Sequence, residues 1–458
     1  MFTITEYLAA HEREIVAQLL ELVKFKSISA DSDFHADCDA AAQWLVQHFQ
    51  NIGFSAELYP IPEKHAIVFA QSPYIANAPT LLIYGHYDVQ PVEPLNEWKI
   101  PDPFQPVEED GVIIARGVSD DKGPFFAHIV AAEYWMQSEN RPKLNVKFLL
   151  EGDEEGGNER TEAFVRKYSE MLSCDYLALS DTPQFEPGQP AITVGLRGIV
   201  SYELRLFGPQ QDIHSGMFGG AVTNPCSVLT KILASMKDEN QRITIPNFYD
   251  DVFRLSPEAN SALKLLPFNE TQFFGNLGLT EGTGEKDMSV LERIWTRPTF
   301  DINGLTGGYQ GEGGKTIIPA WASAKLSFRL VPNQNPREIT ASLEKKIREQ
   351  IPPGIRMEFK VESEAAGMSV DITKPCMKAA ARAIEFGFGR SPFFIREGGS
   401  IPIVSTFAEI LTPNIMMIGL SQKSDNAHGP NEHFALIDFL RGIRTSAKLW
   451  QELAALEM

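Results

Sequence analysis

A chain of 458 residues exceeds what one hydrophobic core organises, and at ~150 residues per domain it predicts about three domains or two unequal ones. Hydrophobic residues make up 43% and charged residues 22%, a balance that excludes wholesale disorder. With 60 acidic and 41 basic residues the net charge is −19, so no nucleic acid or anionic membrane partner is expected, because both demand local positive charge.

The N-terminal stretch has no basic region ahead of an apolar run, and Glu6, His11, Glu12 and Glu14 interrupt it, so it reads as an amphipathic helix and not as a signal peptide. No run of ~18 apolar residues offers a membrane span. Cys38, Cys174, Cys226 and Cys376 lie far apart without a CxxC pair, which predicts free thiols and a cytoplasmic location.

Leu8, Ile15, Leu19 and Val23 carry helical spacing over residues 4–24, and Ala41, Leu45 and Phe49 do so over about 38–52. Ala66–Phe69, Leu81–Tyr84, Val146–Leu150 and Tyr176–Leu179 read as buried strands, with a helix from Pro124 to Met136 between the second and third. This alternation predicts an α/β domain with a mixed, mostly parallel sheet covered by helices on both faces. From about Gly198 the pattern changes. Ile199–Phe207 is a long strand, Pro225–Met236 a helix, Ala324–Leu330 an alternating strand, Pro336 to about Ile351 a helix and Arg356–Val361 a strand. Residues 198–366 therefore read as an α+β domain inserted between 1–197 and 367–458, although 240–300 are polar with scattered aromatics and match no element clearly. A helix over 374–387, the strand Ile415–Ile418 and a final helix to about Leu456 return to the first character.

Acidic and histidine residues fall just past strand ends. Leu81–Tyr84 runs into Gly85-His86-Tyr87-Asp88, Val146–Leu150 into Glu151-Gly152-Asp153-Glu154-Glu155, and Tyr176–Leu179 into Ser180-Asp181. Ile415–Ile418 leads to a loop with His428, and another loop contributes Asp120-Asp121. Taken singly, each is ordinary: an HxD is usually loop polarity, and Asp-Asp before a helix is usually a cap. Open α/β sheets, however, place ligand sites at the carboxyl ends of their strands. Carboxylate and imidazole donors converging there suit one or two divalent cations, Zn²⁺ first and Mn²⁺ as the oxygen-rich alternative.

These residues also carry a family resemblance. The strings Gly85–Pro91, Arg116–Pro124, Glu151–Glu155, Asp212–Gly216, Arg396–Pro402 and Ala427–Glu432 resemble, in order, those of the dinuclear zinc hydrolases of metallopeptidase family twenty, a zinc exopeptidase-like fold. Pro298–Gly304, Gly314–Pro319 and Phe328–Pro332 are similar to the cytosolic non-specific dipeptidase, or carnosinase-like, branch. The resemblance implies one cation held by His86 and Asp181, another by Glu155 and His428, and Asp120 bridging both. Three carboxylates and a bridging hydroxide then balance two divalent cations while the histidines stay neutral. It further implies Glu154 as general base and Asp88 as the group that orients His86. In this family the peptide after the bridging aspartate is often cis. The inserted domain is implied to be a lid and homodimer interface. It would supply His214 to the partner's active site as an oxyanion donor. Arg329, Thr316, Ser400 and Gly399 would grip a substrate carboxylate, with Arg396 in second place. His11, His35, His48, His65, His128 and His433 match no motif and read as structural or surface residues.

The implied reaction is hydrolysis of an amide in a dipeptide or small peptide with a free C-terminal carboxylate. An N-acyl amino acid or N-succinyl amine deacylase fits the same motifs, since both cleave an amide near a carboxylate. A catalytically silent binding homologue is a third reading, against which all five implied ligands, Glu154 and Asp88 are present.

Overall fold

Leu81, Leu82, Ile83 and Tyr84 are consecutive apolar residues, a pattern that fits a strand buried on both faces, and all four are fully buried. The computed structural model describes residues 3–456 except 63 and 158. Among them, one unit comprises residues up to Val194, Val370–Ile395 and those from Thr406 onward, and a second comprises Gly195–Ser369 with Arg396–Ser405. The sequence reading placed 396–405 with the first of these; the segment instead packs with the second, where Ser400 bonds Arg329 and Gly398 accepts from Arg197.

In the first unit, strands Asn145–Glu151, Thr80–His86, Tyr176–Leu179 and Ile415–Ile418 lie side by side in that order and all parallel. Antiparallel strands flank them: Ile67–Gln71 and then Ser55–Tyr59 on one side, and the strand beginning at Ala191 on the other. The sheet is thus mixed, with its parallel part at the centre. Helices Ile4–Leu22, His35–Asn51, Gly123–Gln137, Pro375–Phe388 and Leu436–Ala454 belong to this unit. The first opens with a capping box between Thr3 and Glu6. Gly123–Gln137 is buried along nearly its whole circumference, in keeping with its largely apolar sequence. Strand alternation sends neighbouring residues to opposite faces. Tyr84 meets Phe407 on one face, while Gly85 faces Phe125 and Asp121 on the other. A Cβ on Gly85 would lie 2.7 Å from Phe125 Cβ and 2.8 Å from Asp121 Oδ2, so only glycine lets that helix approach the sheet.

The second unit holds an antiparallel sheet in the order Thr299–Gly307, Trp321–Leu330, Gly198–Phe207, Arg356–Ala365. Tyr202, Leu204, Leu206, Ala324, Leu326 and Phe328 form a core with Leu229 and Ile232 of helix Pro225–Ala234 and Leu343 and Ile347 of helix Pro336–Arg348. Alternate residues such as Glu203, Arg205, Ser323 and Lys325 face away from that core. The stretch 240–300, which matched no element in the sequence, contains helices Pro257–Lys264, Glu270–Asn276 and Val290–Trp295. Each is too short to show a clear period.

His128, inside helix Gly123–Gln137, is 1% exposed, with Nδ1 2.7 Å from Ser446 Oγ and Nε2 2.8 Å from Ser180 Oγ. Its role is structural, and burial lowers its pKa from 6.5 to about 4. The folded chain refuses a proton that the unfolded chain accepts below pH 6.5, so stability is full above that value. It is then lost as the pH falls towards 4, by up to about 3 kcal/mol. Denaturant midpoints recorded in chelator across this range are expected to fall, and to fall less steeply in His128→Gln; equal slopes for the two proteins contradict this.

Candidate metal centre

The four parallel strands end at one edge of the sheet, and each is followed there by potential ligands: His86, Glu154 and Glu155, Asp181, and the loop with His428. Ligand atoms of His86, Asp120 and Asp181 lie within 4.8 Å of one another, and so do those of Asp120, Glu155 and His428. Asp120 belongs to both groups. Its Oδ1 is 3.0 Å from His86 Nε2 and its Oδ2 3.0 Å from His428 Nε2, while Glu155 Oε1 is 3.3 Å from the same His428 nitrogen. One carboxylate therefore offers one oxygen to each side. The peptide Asp120–Asp121 is cis.

Electrostatics reflect the crowding. Burial opposes charge on His86, yet its hydrogen bonds to Asp120 and Asp88 outweigh that and raise its pKa well above the usual value. Hydrogen bonds to Asp120 and Glu155 raise His428 to about 10. Burial favours a neutral Asp120, but His428 and His86 hold its carboxyl below the ordinary range. Asp181 is pushed well up by burial and by the charges of Asp120 and Asp121. Burial likewise lifts Glu154 to about 8, with Glu155, Glu151 and Asp88 adding to the shift and His86 opposing it.

Asp88 does more than orient one histidine. His86 Nδ1 lies 3.1 Å from the Asp88 carbonyl and 3.3 Å from its Oδ1; in the neutral ring this places the proton on Nδ1 and leaves Nε2 free to ligate. The same carboxylate accepts the backbone N–H of Glu154 at 3.2 Å, that of Glu155 at 3.1 Å and the hydroxyl of Ser29 at 2.6 Å. Asp88 thus binds the His86 strand end to the turn that carries Glu154 and Glu155. Gln90 donates to Glu155 Oε2 at 2.7 Å, and Tyr84 and Thr161 both donate to the buried Glu151 carboxylate. Sequence reasoning assigned no role to Ser29, Gln90 or Glu151. Gln90 and Glu151 stand inside quoted motifs, whereas Ser29, 59 positions from Asp88, had no local signal.

The remaining proposed residues lie in the second unit as separate pairs. His214 is exposed, and its short strand pairs with Ile317–Ile318, so that Ser215 N–H donates to the Thr316 carbonyl at 3.0 Å. Gly216 N–H donates to His214 Nδ1 at 3.0 Å, which puts the neutral ring's proton on Nε2. Elsewhere Arg329 Nη1 donates to Ser400 Oγ at 3.0 Å, and Ser400 donates to the Arg197 carbonyl. Arg197, unassigned in the sequence reading, is 9% exposed; burial and then the charge of Arg329 lower its pKa to about 10. Two guanidiniums thus lie near one another, with Asp301 felt by both and Glu397 by Arg197. Gly399 is exposed and offers only backbone, while Arg396 donates to Ser369 Oγ at 3.3 Å and packs on Gly195.

Residues 82–452 match the family described as Peptidase family M20/M25/M40. The chain is 30% identical over 460 aligned positions to the Cys-Gly metallodipeptidase dug1 of Schizosaccharomyces pombe, covering 96% of both chains. It is 28% identical to the Beta-Ala-His dipeptidase of Homo sapiens, over 98% of this chain and 92% of that one. Among solved structures, the M20 family metallo-carboxypeptidase Sso-CP2 from Sulfolobus solfataricus superposes with a TM-score of 0.88 at 31% identity, over 97% of this chain and 100% of that one.

Proposed function

The chain belongs to peptidase family M20/M25/M40, and from that premise we propose that it hydrolyses the amide bond of dipeptides or small peptides bearing a free C-terminal carboxylate, with two divalent cations. The observation that carries this reading is Asp120, whose two oxygens face His86 and His428 within two adjoining ligand groups. The donor set fits cations. Its carboxylates face protonated His86 and His428, and divalent cations there would replace those protons. His86, Asp120 and Asp181 would hold one, and Asp120, Glu155 and His428 the other. Zn²⁺ is the first choice for this mixed nitrogen and oxygen set, with Mn²⁺ as alternative. When bound, such cations acidify water and offset charge developing on the scissile carbonyl oxygen.

Glu154 is the general base. It stands next to the ligand Glu155 and near Asp121 and Asp181, whose pKa values its charge helps to raise, and there it would take a proton from the attacking water and pass it to the leaving amine. Asp88 fixes the turn on which Glu154 sits through that residue's backbone N–H. Arg329 with Ser400, beside Arg197, is suited to the terminal carboxylate, with Thr316 and Gly399 as further contacts. His214, with its Nε2 proton directed away from Gly216, is suited to donate to the oxyanion of a partner subunit's substrate. The dipeptidase names of the S. pombe and human relatives support this substrate class.

Chelation is expected to abolish hydrolysis, and Zn²⁺ or Mn²⁺ to restore it. Glu154→Gln should lower turnover by ~10²–10⁴-fold while two cations remain bound. An unchanged rate in that variant removes Glu154 as base. Faster cleavage of N-acyl amino acids than of a dipeptide panel would replace the dipeptidase reading with the deacylase one.

The second unit is further proposed as a lid and homodimer interface. Its edge strand Thr299–Gly307 exposes Ile302 and Leu305, whereas the opposite edge alternates Arg356, Glu358, Lys360 and Glu362, charges that discourage pairing. Sedimentation should therefore give twice the chain mass, and Ile302→Lys with Leu305→Lys should shift it to monomer. A monomeric native chain contradicts the interface. Four free cysteines support a reducing, cytoplasmic location, and among the described residues no helix is long and apolar enough to cross a membrane. Recovery of the protein outside the cytosolic fraction of its cell would contradict that location.

A further inference from the structure

The two loops that approach the centre from opposite ends of the sequence are joined by one carboxylate. Glu432 is 0% exposed and accepts four hydrogen bonds: from Arg116 Nη1 at 2.8 Å and from the backbone N–H of Gly117 at 2.7 Å, Ser119 at 2.9 Å and Asp120 at 3.1 Å. Its own carbonyl accepts Ala115 N–H at 3.1 Å. Arg116, 1% exposed, continues the link by donating Nη2 to the Pro91 carbonyl at 3.0 Å, and its guanidinium lies 5.3 Å from the Trp98 ring centroid. Three loops thereby meet: the one after His86 and Asp88, the turn that ends in Asp120, and the one that carries His428.

The His428 loop needs such a tether. Asn426, His428 and Asn431 all adopt left-handed backbone angles, with φ of 62°, 65° and 62°. Asn adopts that region readily, whereas His428 is helped to stay there by the contacts around the loop. A second link, from Ser119 Oγ to Asp425 Oδ2 at 3.0 Å, supports the same junction from the loop's other end.

We propose that Glu432 is a positioning residue, whose buried carboxylate sets the Asp120 backbone and the His428 loop in register so that the shared carboxylate is preorganised for both cations. It touches neither a cation ligand's side chain nor substrate, and acts through the backbone N–H of Asp120 and through the loop. Because Asp120 serves both groups, its displacement weakens both. The inference rests on the two-cation reading above.

The test uses the full chain, stripped of metal and titrated with Zn²⁺ against a chromophoric chelator, with Co²⁺ absorption as a second readout. The wild type should take up two equivalents. E432Q keeps the shape but presents an amide to three backbone donors and Arg116, and should lose roughly 10–100-fold in affinity at both steps, with an altered Co²⁺ spectrum. E432D retains the charge but is one methylene short, should show the same loss to a smaller degree, and carries the test if E432Q does not fold. Variants with a lower melting temperature but wild-type affinity and spectrum show a purely structural role and overturn the proposal. Failure of the wild type to bind a pair of cations overturns the underlying reading as well, which separates the two failures.

Discussion

Carboxylates gathered at one edge of a sheet repel one another and lose hydration, so an arrangement like that around Asp120 persists only with positive charge among them. Asp120, Glu155, Asp181 and Glu154 all approach the ends of four parallel strands, where His86 and His428 supply the imidazoles of the two ligand clusters. The histidine pKa values rise through hydrogen bonds to Asp120, Asp88 and Glu155 despite burial, while those of Asp181 and Glu154 rise first through burial, with neighbouring carboxylate charges adding to it. The proposed pair of divalent cations would supply positive charge there, and Asp88 and Glu432 hold the ligand-bearing turns in place.

Two buried carboxylates perform that holding. Asp88 gathers the Glu154–Glu155 turn, the His86 ring and Ser29, while Glu432 gathers the Asp120 turn and the His428 loop. Each spends its acceptor capacity on backbone N–H groups of ligand-bearing turns, and so stiffens loops that would otherwise be the least ordered parts of the fold. Neither needs to touch a cation. The close approach of helix Gly123–Gln137 to the sheet, possible because Gly85 has no Cβ, brings Asp121 Oδ2 within 3.3 Å of the His86 backbone nitrogen.

The second unit follows different physics. Its sheet is antiparallel with one apolar and one polar face, which suits a layer backed by two helices on a single side. The polar face and the segment 396–405 bring Arg197, Arg329 and Ser400 together in a chain whose net charge is −19.

Much of the centre was legible in the sequence, because ligand-type residues placed just after apolar strand runs report their own position. His86, Asp181 and the Glu154–Glu155 pair are local signals of this kind, and the inserted unit announced itself by its change to alternating strands. What tied these signals together was not legible. The bond from Ser29 to Asp88 spans 59 residues and that from Arg116 to Glu432 spans 316, and hydrogen-bond partners at such separations leave no local pattern. The short helices within 240–300 escaped because a helix of two turns is too brief to display a period, and 396–405 was misplaced because partners distant in the chain decide its packing. Residue types and their order along the strands thus determined which chemistry was available. The family resemblance implied Asp120 between His86 and His428; only the tertiary structure shows what aims it there, because those contacts come from loops hundreds of residues apart.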